Sequence, residues 1–169
     1  MEQPKVVEES LFIAAFPAAV YQAVSSIKRM REWSPEFIGA WHRVPVRVGT
    51  RFIGFNRRRL RVWFTTAVVT RADEAHEFAF QVRTFGMPVA EWGYRLTPSD
   101  AGTTVTEYWR DIRVGRSGRI AKLLGLVFTG VSPRGRPSIN RDGMRHTLAA
   151  MSRTLESEAR AAAQGSSSP

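Results

Sequence analysis

One stretch near the C-terminus constrains everything before it. Met144, Leu148, Met151, Leu155 and Ala159 recur at steps of four, three, four and four residues. At about 100° per residue these positions form one narrow apolar stripe, which predicts an amphipathic helix over Pro137–Ala163. Pro137 suits a first helical turn, with Ser138 or Asn140 as a side-chain cap. Glu156 and Glu158 fall late, where the macrodipole opposes them, so the end is expected to fray. A single stripe must lie on something, and nearly all of the preceding chain reads as strand. The expectation is one helix laid across one curved antiparallel sheet, with space between them for a ligand.

Val6–Phe16 alternates loosely and reads as a first strand. Pro17-Ala18-Ala19 opens a short helix with Val20, Tyr21 and Val24 on one side. A second short helix, Ser26–Arg31, stops before Ser34-Pro35, because a residue preceding proline avoids helical geometry. Strands then follow in quick succession: Phe37–Val44, Thr50–Asn56, Leu60–Thr70, and a cleanly alternating run through Phe78, Phe80 and Val82. Another carries Ala90, Trp92, Tyr94 and Leu96 on one face, and the last carries Val105, Glu107 and Trp109. Turn signals such as Pro98-Ser99-Asp100-Ala101-Gly102 separate them, which predicts an antiparallel meander. Val114–Arg136 fits neither period. It reads as a short amphipathic helix among glycines, either a connector on the sheet rim or a mobile lid or interfacial segment.

Length bounds the domain count. With 169 residues the chain is expected to form a single domain over 1–163, followed by a disordered polar tail at 164–169. There is no cysteine, which excludes disulfides, thiolate metal sites and a cysteine nucleophile. The polar start shows no signal peptide, and the longest apolar patch, Leu123–Val131, is too short to span a bilayer, so a cytoplasmic location is expected. A formal charge of +10 invites a nucleic-acid reading. Against it, 22 of the 25 basic residues are arginines scattered along the chain. The one dense run, Arg57-Arg58-Arg59 with Arg61, reads as a solvated hairpin turn.

The order is strand, two short helices, six strands and a long helix. With Ala14–Tyr21, Met30–Glu36, Val48–Gly54, Trp92–Leu96 and Gly102–Glu107, that order resembles the START-like superfamily of helix-grip proteins. The superfamily is also called SRPBCC or birch-pollen-allergen-like. Within it, the chain is most similar to the polyketide cyclase/dehydrase family of bacterial proteins. The resemblance covers about residues 6–160. It implies an α+β fold, a seven-stranded sheet curling around the C-terminal helix with a cavity between them. It also implies binding of a hydrophobic small molecule, a lipid or a polyketide-like compound. Chemistry varies within such folds, so the fold does not decide activity.

If the helix stripe faces the sheet, strand parity turns Phe78, Phe80, Trp92, Tyr94, Val105, Glu107 and Trp109 inward, with Phe52 and Trp63 from the preceding hairpin. Met144, Leu148, Met151 and Asn140 face them from the helix. Aromatic walls suit planar or polycyclic ligands. The competing reading is that these side chains simply fill a core. A carboxylate at Glu107 among rings is expected to hold its proton more tightly than usual, making it a candidate acid or base beside Tyr94. Its alternatives are a structural ion pair, or a register slip that puts it in water. No catalytic triad, zinc motif, phosphate loop or dinucleotide fingerprint is present, so neither a metal nor a nucleotide cofactor is predicted. Three readings follow: a carrier of a hydrophobic small molecule, an aromatase/cyclase or dehydrase working through Glu107 and Tyr94, and a macromolecule-binding role for the arginine surface. Nucleic acid is disfavoured among partners, and a peripheral membrane contact through 116–128 is kept.

Overall fold

The computed structural model describes residues 6–43, 45–113 and 135–165. Strands β1 (Val6–Ile13), β2 (Phe37–Trp41), β3 (Arg51–Arg58), β4 (Arg61–Asp73), β5 (Glu77–Thr84), β6 (Met87–Ser99) and β7 (Gly102–Asp111) form one antiparallel sheet. Its order is β1-β7-β6-β5-β4-β3-β2. From β2 to β7 each strand pairs with the next, as the short turns demand, and β1 returns to pair with β7. This is the expected α+β helix-grip architecture. The pairing register shifts between Val69 and Arg71 and between Val82 and Arg83, irregularities that help bend the sheet.

Helix α1 (Pro17–Ser25) and a 3₁₀ turn (Arg29–Glu32) follow β1. Pro17 sits in the first turn of α1, where its missing N–H is no loss, and Val20, Ala23 and Val24 are buried. The terminal helix α2 spans Arg136–Gly165. Its buried face is Asn140, Met144, Thr147, Leu148, Met151 and Leu155, so the apolar stripe is real but stops short of Ala159, which is exposed. The reason is length. A helix of 30 residues runs about 45 Å, whereas β1, beneath it, has 8 residues and spans about 27 Å. The last turns overshoot the sheet.

The two late acids have partners of their own. Glu156 accepts the Ala14 backbone N–H at 3.3 Å and the Ser152 hydroxyl at 3.0 Å. Glu158 accepts from Arg29 at 2.8 Å. The two acids tie the late turns of α2 to the β1–α1 connection and the 3₁₀ turn.

The main core joins Ile13, Val20, Val24, Ile27, Trp33, Phe78, Val105, Leu148, Met151 and Leu155, and a smaller cluster holds Val7, Ala90, Trp109 and Met144. On the opposite, outer face the sheet carries a polar network. Tyr108 donates to Glu77 at 2.8 Å, Arg71 pairs with Glu91 at 3.1 Å, and the Arg95 guanidinium lies 5.2 Å from the Tyr108 ring centre. The Tyr108 ring passes directly over Gly93, where a Cβ would collide with it. No helix among the described residues is long and apolar enough to cross a membrane. The amphipathic segment expected over 114–136, including the 116–128 contact, lies outside the described residues up to position 134, and so do 166–169 of the tail.

Candidate functional site

Alternation along two neighbouring strands builds the centre of the site. Tyr94 on β6 lies directly opposite Glu107 on β7, and Trp92 opposite Trp109. Paired positions on one face hold their Cβ atoms about 5 Å apart, so the side chains must meet. The Tyr94 hydroxyl donates to Glu107 Oε1 at 3.1 Å. Glu107 is only 4% exposed, so no register slip puts it in water. Among the described residues no cation forms an ion pair with it, and the influences on its carboxyl are burial and Tyr94. Burial pushes its carboxyl up to about 8, and the Tyr94 hydrogen bond offsets part of that. Burial, reinforced by the Glu107 charge, also raises the Tyr94 hydroxyl well above its usual value.

Two pockets meet at this pair. The inner one, about 150 Å³, is walled by Phe52, Trp63, Phe80, Trp92 and Tyr94, with Phe52 and Phe80 edge to face at 5.4 Å. The outer one, about 610 Å³, opens between the Ser34–Glu36 loop, Arg57–Arg59 and the first turns of α2, where Asn140, Met144 and Thr147 line it. Ser34, Glu36, Trp92 and Glu107 belong to both.

The structure therefore gathers Phe52, Trp63, Phe80, Trp92, Tyr94, Glu107, Asn140 and Met144 around the pockets. It places Phe78, Val105, Trp109, Leu148 and Met151 in packed core instead. The division follows from where α2 lies. Its sheet contacts are chiefly with β1 and β7, so that half is solid. The hollow lies over β3–β6, beside the first turns of the helix. Asn140 is not a cap: α2 begins four residues earlier, and the Ser138 hydroxyl donates back to the Gly135 carbonyl at 2.9 Å. His146 is exposed at the outer rim.

Sequence reasoning missed the polar clasp at the mouth. Arg136 donates to Glu36 Oε2 at 2.8 Å, and Arg58 Nε approaches Oε1 at 3.3 Å. Thus Arg58 is not the solvated turn residue expected; with Arg57 it is part of β3, and the turn itself is Arg59-Leu60. The Arg57 N–H also holds the Glu36 carbonyl at 2.7 Å. Glu36 and Arg136 stand 100 positions apart, so no local pattern announces the pair. Besides Glu36 Oε1, which Arg58 approaches, three buried atoms around the pockets have no hydrogen-bond partner among the described residues: Glu107 Oε2, Arg136 Nη1 and Asn140 Nδ2. Each such atom costs on the order of 1–3 kcal/mol unless something else satisfies it. Together they present two donors and one carboxyl oxygen beside an aromatic wall. Among the described residues no group of three metal-ligating side chains occurs.

The family model described as polyketide cyclase/dehydrase and lipid transport matches residues 4–156. Among solved structures, a polyketide-cyclase-like protein of Corynebacterium glutamicum is 31% identical, with a TM-score of 0.61 over 94% of this chain and 95% of that one. The di-domain ARO/CYC StfQ from the steffimycin biosynthetic pathway is 13% identical, with a TM-score of 0.69 over 92% of this chain and 51% of that one. A protein of Nitrosomonas europaea is 12% identical, with a TM-score of 0.64 over 95% and 99% of the two chains. The last two are likenesses of fold alone. No curated protein matches the chain.

Proposed function

The chain belongs to the polyketide cyclase/dehydrase and lipid transport family, and from that premise we propose that it binds a hydrophobic, ring-bearing small molecule across the two pockets. The observation that carries this reading is the junction itself: an aromatic wall runs into buried donors and a carboxyl oxygen that lack partners among the described residues. The inner pocket is the size of the cavities that take a single ring, so a larger guest extends past Glu107 into the outer pocket. Ring faces supply most of the affinity. Asn140 and Arg136 then fix a ligand oxygen. A carrier of this kind, purified from its native host, should show a co-purified apolar mass by native mass spectrometry, lost after organic extraction. Protein of bare polypeptide mass that also takes up no polycyclic phenol would overturn the reading.

The Glu107–Tyr94 pair supports a second reading, an aromatase/cyclase or dehydrase. At neutral pH a carboxyl titrating near 8 keeps its proton. Tyr94 occupies Oε1, which leaves Oε2 to meet the ligand. In an aldol closure Glu107 would give its proton to the carbonyl oxygen as the carbon–carbon bond forms. Its carboxylate would then take the α-proton and pass it to the departing hydroxyl, which leaves as water, and the proton that the attacking enol released to solvent would restore the acid. Glu107→Gln should abolish turnover of a poly-β-keto substrate while sparing binding. Turnover that survives the change removes Glu107 from the chemistry and leaves only the carrier.

A further inference from the structure

The arginines are spread along the chain, but the acids are not. Residues 37–72 hold eight arginines and no Asp or Glu, so this stretch alone carries +8 of the formal +10. The fold lays it out as β2, β3 and most of β4, one edge of the sheet.

The outer surface of that edge is also apolar. Phe55 and Phe64 lie directly opposite each other and are 42% and 59% exposed. Strand parity puts Trp41 on the same face, with the Arg43 guanidinium 5.1 Å from its ring centre. At the hairpin tip, Leu60 is fully exposed between Arg59 and Arg61. Large apolar side chains grouped on one face mark a surface that meets something.

We propose that this edge docks on an anionic lipid surface, with Leu60 as the inserting residue and the surrounding arginines on the headgroups. The chemistry favours lipid over nucleic acid. An aliphatic tip ringed by cations sinks into the headgroup boundary, whereas base stacking needs a ring there. Position adds to the case. Arg57–Arg59 line the outer pocket, so docking through the hairpin brings the mouth of the hollow to the bilayer, where apolar ligands reside.

Co-sedimentation of the full chain with vesicles tests this without any pocket ligand, so its outcome is separate from that of the carrier reading. Binding is expected to phosphatidylcholine vesicles containing phosphatidylglycerol, but not to pure phosphatidylcholine, and should weaken as salt is added. Leu60→Asp should lower partitioning about tenfold or more. Arg59→Asn should lower it about fivefold. Arg59 has φ 54°, a left-handed conformation asparagine accepts, so the second variant keeps the turn even if the first disturbs it. No binding to phosphatidylglycerol vesicles at low salt would overturn the proposal. So would undiminished binding of both variants, or a single-stranded oligonucleotide that displaces the vesicles and is lost with the same two changes.

Discussion

At the scale of single residues, Glu107 is the most consequential group. Its carboxyl moves from an ordinary 4.5 to about 8. Between those values the unfolded chain has lost the proton and the folded chain still holds it. Folding is therefore favoured at low pH, and stability falls as pH rises through the window, by up to about 1.4 kcal/mol per pH unit. Glu107→Gln removes the titration. Chemical denaturation at pH 5 and pH 8 should show the variant gaining on the parent by roughly 3 kcal/mol between the two. Parallel pH curves would mean that Glu107 titrates normally. Gly93 makes a different test, because the Tyr108 ring occupies the space of a Cβ. Gly93→Ala should cost about 1–3 kcal/mol through overpacking, read from the same denaturation curves, with no change in ligand binding. Glu107 and Tyr94 were legible in the sequence because strand parity is local. Arg136 and Glu36 were not, because their meeting depends on how a distant helix docks.

At the scale of elements, one face of α2 does two jobs. Leu148 and Met151 are packed against the strands, so Leu148→Ala should destabilise by about 2–5 kcal/mol in thermal or urea unfolding. Asn140, two turns earlier on the same face, is buried with its Nδ2 unpartnered among the described residues. Asn140→Leu should be neutral or stabilising in unfolding experiments, yet should weaken binding of a phenolic ligand about tenfold by calorimetry. A loss of stability matching that of Leu148→Ala would show that Asn140 is structural. The helix itself was legible from five apolar positions. Its exposed last turns were not, since periodicity carries no information about where the supporting strand ends. Likewise the run Arg57-Arg58-Arg59 looked like one turn, but Arg58 is held by Glu36 and only Arg59 and Leu60 turn the chain.

At the scale of the whole molecule, the sheet is covered unevenly. Over β1 and β7 the helix closes the core; over β3–β6 the aromatic face remains hollow, with polar groups at its mouth. Strand order and helix length made the architecture readable, because short turns leave an antiparallel meander little choice. The partition between solid and hollow was not readable: parity says which side chains point inward, not which meet a neighbour. That is why Phe80 and Trp92 line a pocket while Phe78, on the same strand as Phe80, and Trp109, paired with Trp92 on the next strand, do not, though all four share one face.

The account rests on a ligand entering that hollow, and the tryptophans report on it directly. The chain has five, at 33, 41, 63, 92 and 109. Trp63 and Trp92 line the inner pocket, whereas Trp41 is exposed on the outer face. Titration with 2-naphthol, followed by the indole N–H signals in nitrogen-edited NMR spectra, should move the Trp63 and Trp92 peaks saturably at one equivalent and leave Trp41 in place. Movement of Trp41 alone, or no saturable movement at Trp63 and Trp92, would contradict it.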